Sequence, residues 1–351
     1  MNILFHTYGL SYRGTSVAIQ DYAKYNETIL GNKSTIVYDA ETVETIYSPE
    51  STIPSVLETF KNRFNVLSYS SEEELNEIAS DFDLVYSLRD GDIHAPQVTS
   101  TRTAMHAVFQ NYNPHWDVYA YISEWLANHM YTQCSDPAWN AQYDRRKDKS
   151  TPPKLMPFVP HIVELPTPNL DASAALRDRL NIPKSNFIFG RYGGVLEFDI
   201  PFVKQKIVEI AESRNDITFV FMNTKQFSNH PNILYLDATF DRQEKANFIG
   251  MCDAMIHART FGESFGLAIS EFLLNNKPVM AWEAGLDRNH VHMLKSYGLL
   301  YNEVTFSGML NEVREGKFHG HDYGKIVESF SPENVMQKFK SVFLDESPIS
   351  L

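Results

Sequence analysis

The sequence predicts an α/β protein with two doubly wound parallel sheets, one in each half of the chain. Short apolar runs alternate with helical patterns along most of the 351 residues, as they do in parallel β/α units. A charged, proline-rich seam from Asp136 to Asp171 separates two such series, which predicts a stiff linker between two domains. The chain length also suits two domains of ordinary size.

The first predicted domain covers residues 1–160. Its predicted strands are Asn2–His6, Ser34–Tyr38, Asn65–Tyr69, Asp83–Leu88, Thr103–Phe109 and Val118–Ile122. Its predicted helices are Gly14–Leu30, Ser55–Phe64, Ser71–Ser80 and Ser123–Gln133. Ser71 with Glu74 forms a capping box, and Ser123 is an N-cap candidate.

The second predicted domain covers residues 161–330. Its predicted strands are Phe187–Gly190, Ile217–Met222, Ile233–Leu236, Ala254–Ala258 and Pro278–Trp282. Asp199 and Pro201 begin one helix, Asp241 with Glu244 caps a second, and an apolar face from Phe265 indicates a third. Ser331 and Pro332 begin a last helix through Leu344.

Composition and charge exclude several classes of protein. Hydrophobic residues at 43% and charged residues at 21% argue against a disordered chain. The net charge of −13 disfavours broad contact with nucleic acid or anionic membranes. The N-terminus does not resemble a signal peptide, and no stretch is apolar enough for stable membrane insertion. Cys134 and Cys252 form no disulfide framework, so we expect a cytoplasmic protein.

The stretch Ile256–Trp282 carries the most informative pattern. A strand end, a glycine-containing turn and an apolar helix follow one another. Ligands of parallel β/α units bind at the carboxyl ends of strands, where a helix N-terminus favours an anion such as phosphate. Gly262 and Gly266 allow the backbone to approach that anion closely. Glu263 and Glu271 are unsuited to phosphate, but carboxylates accept hydrogen bonds from sugar or ribose hydroxyls.

This stretch resembles the signature of the GT4 family of retaining GT-B glycosyltransferases. Seven residues separate Glu263 from Glu271, and E-S-F-G-L stands where the family has E-G-F-G-L. The resemblance implies that Glu263 lies beside the donor sugar and that Glu271 holds the nucleotide ribose. It also implies diphosphate and sugar contacts from the backbone after Glu263, at Ser264, Phe265, Gly266 and Leu267.

Further donor contacts are implied by the same resemblance. GT4 proteins have glycines after the first strand, where this chain has Gly14, although Gly14 also suits a plain turn. An arginine of the family's diphosphate clamp is matched by Arg191, but the lysine about five residues later is missing. Backbone N–H groups of Gly193 and Gly194, or the side chain of Lys225, are candidates to replace it.

The expected contacts of the first domain rest on fewer residues. Many GT4 members place a histidine at the end of a strand against the donor sugar, and His106 matches it, although a core histidine is the alternative. Asp90 and Asp92 follow a strand and are candidate acceptor contacts, with a plain turn as the alternative. Asp90-Gly91-Asp92 also matches the D-x-D metal motif of the GT-A fold, but we expect no metal site.

The resemblance therefore implies a GT-B fold, with two Rossmann-like domains facing a cleft. Residues 1–160 would bind the acceptor, residues 161–330 the donor, and a helix in residues 331–351 would cross back to the first domain. The predicted reaction is metal-independent, retaining transfer of a sugar from a UDP- or GDP-sugar to a carbohydrate or glycoconjugate acceptor. Glu263 and His106 are the predicted catalytic residues, and no other cofactor is expected.

Three alternatives stay open. A GT-B-type nucleotide-sugar epimerase would keep the fold and change the reaction. A glycoside hydrolase would use Glu263 and Glu271 as its two carboxyl groups. A nucleotide-sugar-binding subunit without turnover would be compatible with the missing lysine.

Overall fold

The structure is a computed structural model that describes residues 1–40, 52–93, 96–136, 138 and 152–345. The chain divides into two compact units, of which one comprises Met1–Ile162 with Pro332–Leu351 and the other Val163–Ser331. Most of the charged part of the predicted linker, residues 139–151, lies outside the described residues.

The first unit contains a parallel sheet. Its strands are β1 (Asn2–Thr7), β2 (Lys33–Asp39), β3 (Asn65–Tyr69), β4 (Leu84–Arg89), β5 (Thr103–Ala107) and β6 (Val118–Tyr121). They lie in the order β3-β2-β1-β4-β5-β6 and pair in parallel throughout. The helices described up to this point are α1 (Gly14–Thr28), α2 (Pro54–Lys61), α3 (Glu72–Ala79) and α4 (Glu124–Ser135).

The second unit contains a parallel sheet of the same connectivity. Its strands are β7 (Phe187–Arg191), β8 (Ile217–Met222), β9 (Ile233–Leu236), β10 (Ala254–His257), β12 (Val279–Trp282) and β14 (Leu300–Tyr301), in the order β14-β12-β10-β7-β8-β9. Two further short strands, β11 (Gly262–Glu263) and β13 (Asp287–Arg288), pair only with each other. The helices are α5 (Leu170–Arg179), α6 (Pro201–Ser213), α7 (Arg242–Met251), α8 (Leu267–Leu274), α9 (Asn289–Leu294), α10 (Phe306–Arg314) and α11 (Gly324–Val327).

Each sheet has a point at which its strand order reverses. In the first sheet this point lies between β1 and β4, and in the second between β7 and β10. Both sheets thus have the Rossmann-like order, and ligands bind outside the carboxyl ends of the strands at this point. The prediction of two doubly wound parallel sheets is confirmed.

The capping residues read from the sequence begin the expected helices. Ser71 Oγ accepts a hydrogen bond from the Glu74 amide at 3.2 Å, and the Glu74 carboxylate accepts one from the Ser70 amide at 2.8 Å. The side chain of Ser123 caps α4 by accepting from the Leu126 amide, and that of Asp241 caps α7 by accepting from the Glu244 amide. These side chains satisfy amides that a helix start leaves without intrahelical partners.

Two regions of helix were missed. Helix α5 lies at the end of the predicted linker, and its only buried residue is Ser173, so no apolar stripe signals it. No helix was predicted between Trp282 and Ser331, yet this segment contains α9, α10 and α11. Two of these are only four and six residues long, too short for a helical period to be recognised.

The last described helix belongs to the first unit. Helix α12 (Pro332–Phe339) continues into a π-helical turn, Lys340–Asp345. The ring of Phe339 stacks on Tyr22 at a centroid distance of 5.3 Å, and Phe343 meets Tyr86 at 5.2 Å. The C-terminal segment therefore completes the core of the unit that the N-terminus begins. Within the described residues, no helix is both long and apolar enough to cross a membrane.

Candidate functional site

The turn between β10 and α8 is fixed by two glycines and a short ladder. Gly262 (φ 76°) and Gly266 (φ 93°) lie in the left-handed region, which residues with a Cβ avoid. Gly262 pairs with Asp287, and a Cβ at Gly262 would collide with the Asp287 carbonyl oxygen. Gly266 is the N-cap of α8. The turn, residues 258–266, thus connects the carboxyl end of β10 to the first amides of α8, which lack intrahelical acceptors.

Basic side chains surround Glu263 in this turn. His257 Nε2 lies 3.1 Å from Glu263 Oε1, and Arg259 Nη1 lies 3.2 Å from Oε2. Arg259 also bridges to Glu197, with 3.0 Å between Nη2 and Oε1. The Glu263 side chain keeps 21% of its surface exposed. Two cationic or polar side chains thus hold the carboxylate in place, and part of its surface remains accessible to a ligand.

The electrostatic surroundings keep Glu263 ionised. Burial by itself would raise the pKa of Glu263, but the charge of Arg259 and the hydrogen bond with His257 outweigh it and lower the pKa to about 2. Burial, reinforced by His257, lowers the pKa of His290 to about 3, so that ring is neutral at physiological pH. His290 Nδ1 accepts from the Glu263 amide at 3.3 Å, and Nε2 therefore donates to the Trp282 carbonyl at 2.8 Å.

Glu263 is consequently a fixed carboxylate. It can accept hydrogen bonds from hydroxyl groups and stabilise positive charge. It is unsuited to donate a proton near neutral pH, because a general acid needs a pKa close to the working pH.

Glu271 has a different environment on the same stretch of chain. It lies in α8 with 1% of its surface exposed. The Lys245 ammonium, on α7, is 3.4 Å from Glu271 Oε1 and is itself buried. The same ammonium lies 5.3 Å from the centre of the Tyr192 ring. A buried carboxylate thus has a cationic neighbour, which is the usual condition for burying a charge.

Arg191 ends β7 at the reversal point of the second sheet, but its guanidinium holds neighbouring loops. Nη1 donates to the Asn223 carbonyl at 3.1 Å and to Thr224 Oγ1 at 2.5 Å, and Nη2 donates to the Gly194 carbonyl at 2.9 Å. Burial lowers the pKa of Arg191 to about 10, with nearby Glu197 opposing the shift. The side chain therefore stays charged and contributes a positive field at this edge.

The residues proposed to replace the missing lysine lie on the loops after β7 (Gly193 and Gly194) and β8 (Lys225). The amide of Gly194 donates to Glu197 Oε2 at 3.1 Å, so that carboxylate occupies it. The carbonyl of Gly193 accepts from the Asn223 side chain at 2.8 Å. Lys225 is exposed on the loop after β8. The buried Lys245, which lies beside Glu271, is the additional cation that the sequence reasoning did not consider.

In the first unit, His106 lies in β5 with no exposed surface. Its Nδ1 is 2.6 Å from the Tyr86 hydroxyl, and its Nε2 donates to the Val159 carbonyl at 2.9 Å. Burial lowers the pKa of His106 to about 3. The predicted contact with a donor sugar does not fit this position, because both ring nitrogens are engaged in the core. The alternative of a core histidine fits it.

The other predicted residues of the first unit lie at the carboxyl edge of its sheet. Asp90 Oδ1 accepts from the Asp92 amide at 3.1 Å, which closes an Asx turn. Asp90 Oδ2 accepts from the Tyr8 hydroxyl at 3.2 Å. Both aspartates remain partly exposed, so acceptor contact stays a prediction. Gly14 is exposed as the first residue of α1.

Several basic residues of the second unit were not singled out from the sequence. His257 and Arg259 bracket the end of β10, and the rule that ligands gather at carboxyl ends of parallel strands would have selected them. Lys245 and His290 lie on α7 and α9, remote in sequence from the glutamates they meet. No local pattern could have identified these two. Across the described ranges, no group of three or more His, Cys, Asp or Glu residues could hold a metal ion.

Comparison with solved structures identifies the fold. The chain is similar to HepE from Anabaena, solved with UDP-glucose, with a TM-score of 0.71 and 12% identity over 97% of this chain and 99% of that one. A glycosyltransferase from Rickettsia africae matches with a TM-score of 0.64 and 15% identity over 98% and 99%. A UDP-GlcNAc 2-epimerase from Neisseria meningitidis, bound to UDP-GlcNAc, gives 0.53 and 12% over 99% and 100%.

These likenesses confirm the GT-B fold with two Rossmann-like units. No family model and no curated sequence matches the chain. At such low identities the similarity establishes architecture alone, so function is argued from the site.

Proposed function

We propose that this chain is a metal-independent, retaining glycosyltransferase of the GT4 type, which transfers a sugar from a nucleotide sugar to a carbohydrate or glycoconjugate acceptor. The observation that carries the proposal is the ionised Glu263 beside the glycine-capped start of α8, at the reversal point of the second sheet. HepE, whose structure holds UDP-glucose, supports a UDP-sugar as the donor.

In this proposal, different residues of the second unit bind different parts of the donor. Glu271 accepts hydrogen bonds from the ribose, and Glu263 from hydroxyls of the sugar. The backbone at 264–267 receives the diphosphate, because it leads into the start of α8, where the helix dipole has its positive end. His106 is not part of this set, since it lies in the core.

The chemistry follows from the charges of these groups. When the bond between sugar and diphosphate breaks, positive charge grows on the sugar ring and negative charge on the leaving oxygen. The fixed carboxylate of Glu263 stabilises the first, while the α8 amides and the field of Arg191 stabilise the second. The oxygen of an acceptor hydroxyl forms the new bond to the same sugar carbon, and its proton passes to the leaving diphosphate oxygen, so none of these groups changes its protonation state.

The first test is calorimetric binding of UDP, GDP, ADP, TDP and CMP to the full chain, with and without EDTA. We expect one nucleotide to bind with an affinity that EDTA leaves unchanged. Absence of binding by all five, or binding that needs a divalent metal, would contradict the proposal.

A nucleotide-sugar epimerase is the second candidate, because an epimerase shares the fold. An epimerase would interconvert a UDP-sugar with its epimer in the absence of any acceptor. Proton NMR of UDP-GlcNAc incubated with the protein distinguishes the two. We expect no epimer to form, and its steady accumulation would favour the epimerase.

The glycoside-hydrolase alternative is disfavoured by the state of Glu263. Such enzymes need one carboxylic acid whose pKa is raised so that it protonates the leaving group. The lowered pKa of Glu263 excludes it as that acid, so the role would fall to Glu271, whose carboxylate is buried beside the Lys245 ammonium.

A further inference from the structure

A second charged group lies at the reversal point of the first sheet. Arg89 is the last residue of β4, next to β1, and only 2% of its surface is exposed. The sequence reasoning placed Arg89 in a polar loop, whereas the structure makes it the buried end of a strand. In doubly wound sheets this position is where ligands bind.

The neighbours of the Arg89 guanidinium are mainly aromatic or neutral. Its Cζ lies 3.5 Å from the centre of the Tyr8 ring, and Nη1 lies 3.5 Å from His6 Nε2. Burial, with a contribution from Arg89, lowers the pKa of His6 well below its ordinary value, so that ring is neutral. His6 in turn contacts the hydroxyls of Ser87 and Tyr69 at 3.0 and 2.8 Å.

No ion pair joins Arg89 to a carboxylate within the part of the chain that the structure describes. The adjacent acid, Asp90, instead accepts from the Tyr8 hydroxyl and the Asp92 amide. In the same described part, Arg89 Nε is shielded from solvent and has no hydrogen-bond partner.

Such an arrangement is costly to the folded protein. A buried charge is ordinarily paired, and a buried N–H without an acceptor loses its hydration uncompensated. Stacking on Tyr8 returns only part of this loss. Among the residues that the structure describes, the Arg89 guanidinium has only neutral partners, the side chains of Tyr8, Tyr69 and His6, and an anion arriving from outside would supply the missing opposite charge.

We propose that Arg89 forms an anion subsite on the first unit, and that the acceptor carries a carboxylate or phosphate group that binds there. A guanidinium fork donates two parallel hydrogen bonds to either group. Tyr8 lies in the loop between β1 and α1, so its ring can give way to the anion while strand-borne Arg89 stays in place. Naming this anion as part of the acceptor rests on the proposed glycosyltransferase function.

The test titrates the full chain with anions at constant ionic strength and follows its melting temperature. Saturating UDP is present, so that added phosphate does not report on the donor site. The probes are inorganic phosphate, methyl glucuronide as a carboxylate, and methyl glucoside as a neutral control. The variants are Arg89→Met and, as a matched control, Arg63→Met, which removes a half-exposed arginine paired with Glu27.

The wild type and Arg63→Met are expected to respond saturably to phosphate or to the glucuronide, and not to the glucoside. The stronger of the two responses identifies the acceptor group as phosphate or carboxylate. Arg89→Met should bind the effective anion at least about tenfold more weakly, the factor expected from losing a charged hydrogen bond. Equal responses in the wild type and Arg89→Met, or no response to either anion, would overturn the proposal.

The stability of the ligand-free protein provides a second readout. An arginine kept for a ligand is replaceable by an apolar side chain at no cost in melting temperature, since a buried charge is removed. A fall of more than about 4 °C in Arg89→Met would show that Arg89 is a structural residue and would overturn the proposal.

The variant Arg89→Lys keeps the positive charge but lacks the planar guanidinium that donates two parallel hydrogen bonds. It should bind the anion several-fold more weakly than the wild type, and wild-type affinity would contradict the proposed contact. Nucleotide binding is recorded on the same samples. Its absence from the wild type would defeat the glycosyltransferase proposal while leaving the anion result standing.

Discussion

At the scale of single residues, the two glutamates of the signature are in different electrostatic surroundings. Glu263 is partly exposed between Arg259 and His257, whereas Glu271 is buried beside Lys245. Glu263 can therefore meet a ligand without rearrangement of its ion pairs. Glu271 must share its carboxylate between Lys245 and whatever binds there.

The contribution of Glu263 to stability should depend on pH in one direction. Its pKa in the folded protein is about 2, below the ordinary 4.5. The stabilisation is therefore complete above about pH 4.5 and is lost as the pH falls towards about 2. Between about pH 5 and pH 3 we expect the melting temperature of Glu263→Gln to fall less steeply than that of the wild type. Glu303→Gln, an exposed control, should follow the wild type, and equal slopes for all three proteins would contradict this account.

Variants of Glu271 and Lys245 distinguish an effect on nucleotide binding from an effect on stability. Glu271→Leu leaves a buried ammonium without this carboxylate, so we expect it to lose about 3–5 kcal/mol of unfolding free energy. The double variant Glu271→Leu/Lys245→Met should recover most of that loss, because no buried charge remains. Both variants should bind the nucleotide more weakly by about 1–3 kcal/mol. Wild-type affinity in the stable double variant, measured by calorimetry, would refute the ribose assignment.

At the scale of elements, the glycine turn before α8 is predicted to be the most sensitive segment. Gly266 has φ 93°, and a Cβ there would make ordinary van der Waals contact, with 3.4 Å to the nearest atom, Glu263 Cβ. The strain in Gly266→Ala is therefore conformational, of about 1–2 kcal/mol. Relief of that strain would rotate the amides at the start of α8 away from the proposed position of the diphosphate.

We therefore expect Gly266→Ala to lower both the melting temperature and nucleotide affinity. Gly308 lies inside α10 with no atom within 4 Å of its Cβ position. Gly308→Ala should stabilise the protein by about 0.4–1 kcal/mol and leave affinity unchanged. Calorimetry of the two variants decides the matter, since identical nucleotide affinities would show that the turn geometry is irrelevant to binding.

The sequence predicted most strands because their apolar runs are short, buried and bounded by turn residues. Asn65–Tyr69, Ile217–Met222 and Ile233–Leu236 agree with the structure to the residue. The β11–β13 ladder was not predicted, since each strand has two residues and no period. The two strands are distant in sequence and meet only in the folded chain, as do Lys245 and Glu271.

At the scale of the molecule, the composition and alternation sufficed for two doubly wound sheets. The role given to His106 came from family resemblance, and the burial of its strand against Tyr86 and Val159 overrode it. Arg89 shows the opposite case, because a residue read as loop became the buried end of a strand. Strand ends move by one or two residues in such predictions, and that shift decides which polar side chains are buried.

The last helix should matter to stability and not to the donor. Phe339 is fully buried against Phe5, Tyr22 and Tyr86. We expect Phe339→Ala to cost about 3–5 kcal/mol of unfolding free energy and to leave nucleotide affinity unchanged. Val304→Ala, at a residue that is 91% exposed, should change neither quantity. A weakened nucleotide affinity in a still-folded Phe339→Ala would contradict the assignment of the donor to the second unit.

The assignment of α12 to the first unit has a consequence for synthesis. Domains usually fold in the order in which they leave the ribosome. Here Phe5, Tyr22 and Tyr86 emerge early, but the rings that cover them, Phe339 and Phe343, are translated only after the whole second unit. The second unit is continuous from Val163 to Ser331, so it can finish folding first. Until Phe339 and Phe343 have been translated, the first unit therefore keeps part of its apolar core uncovered.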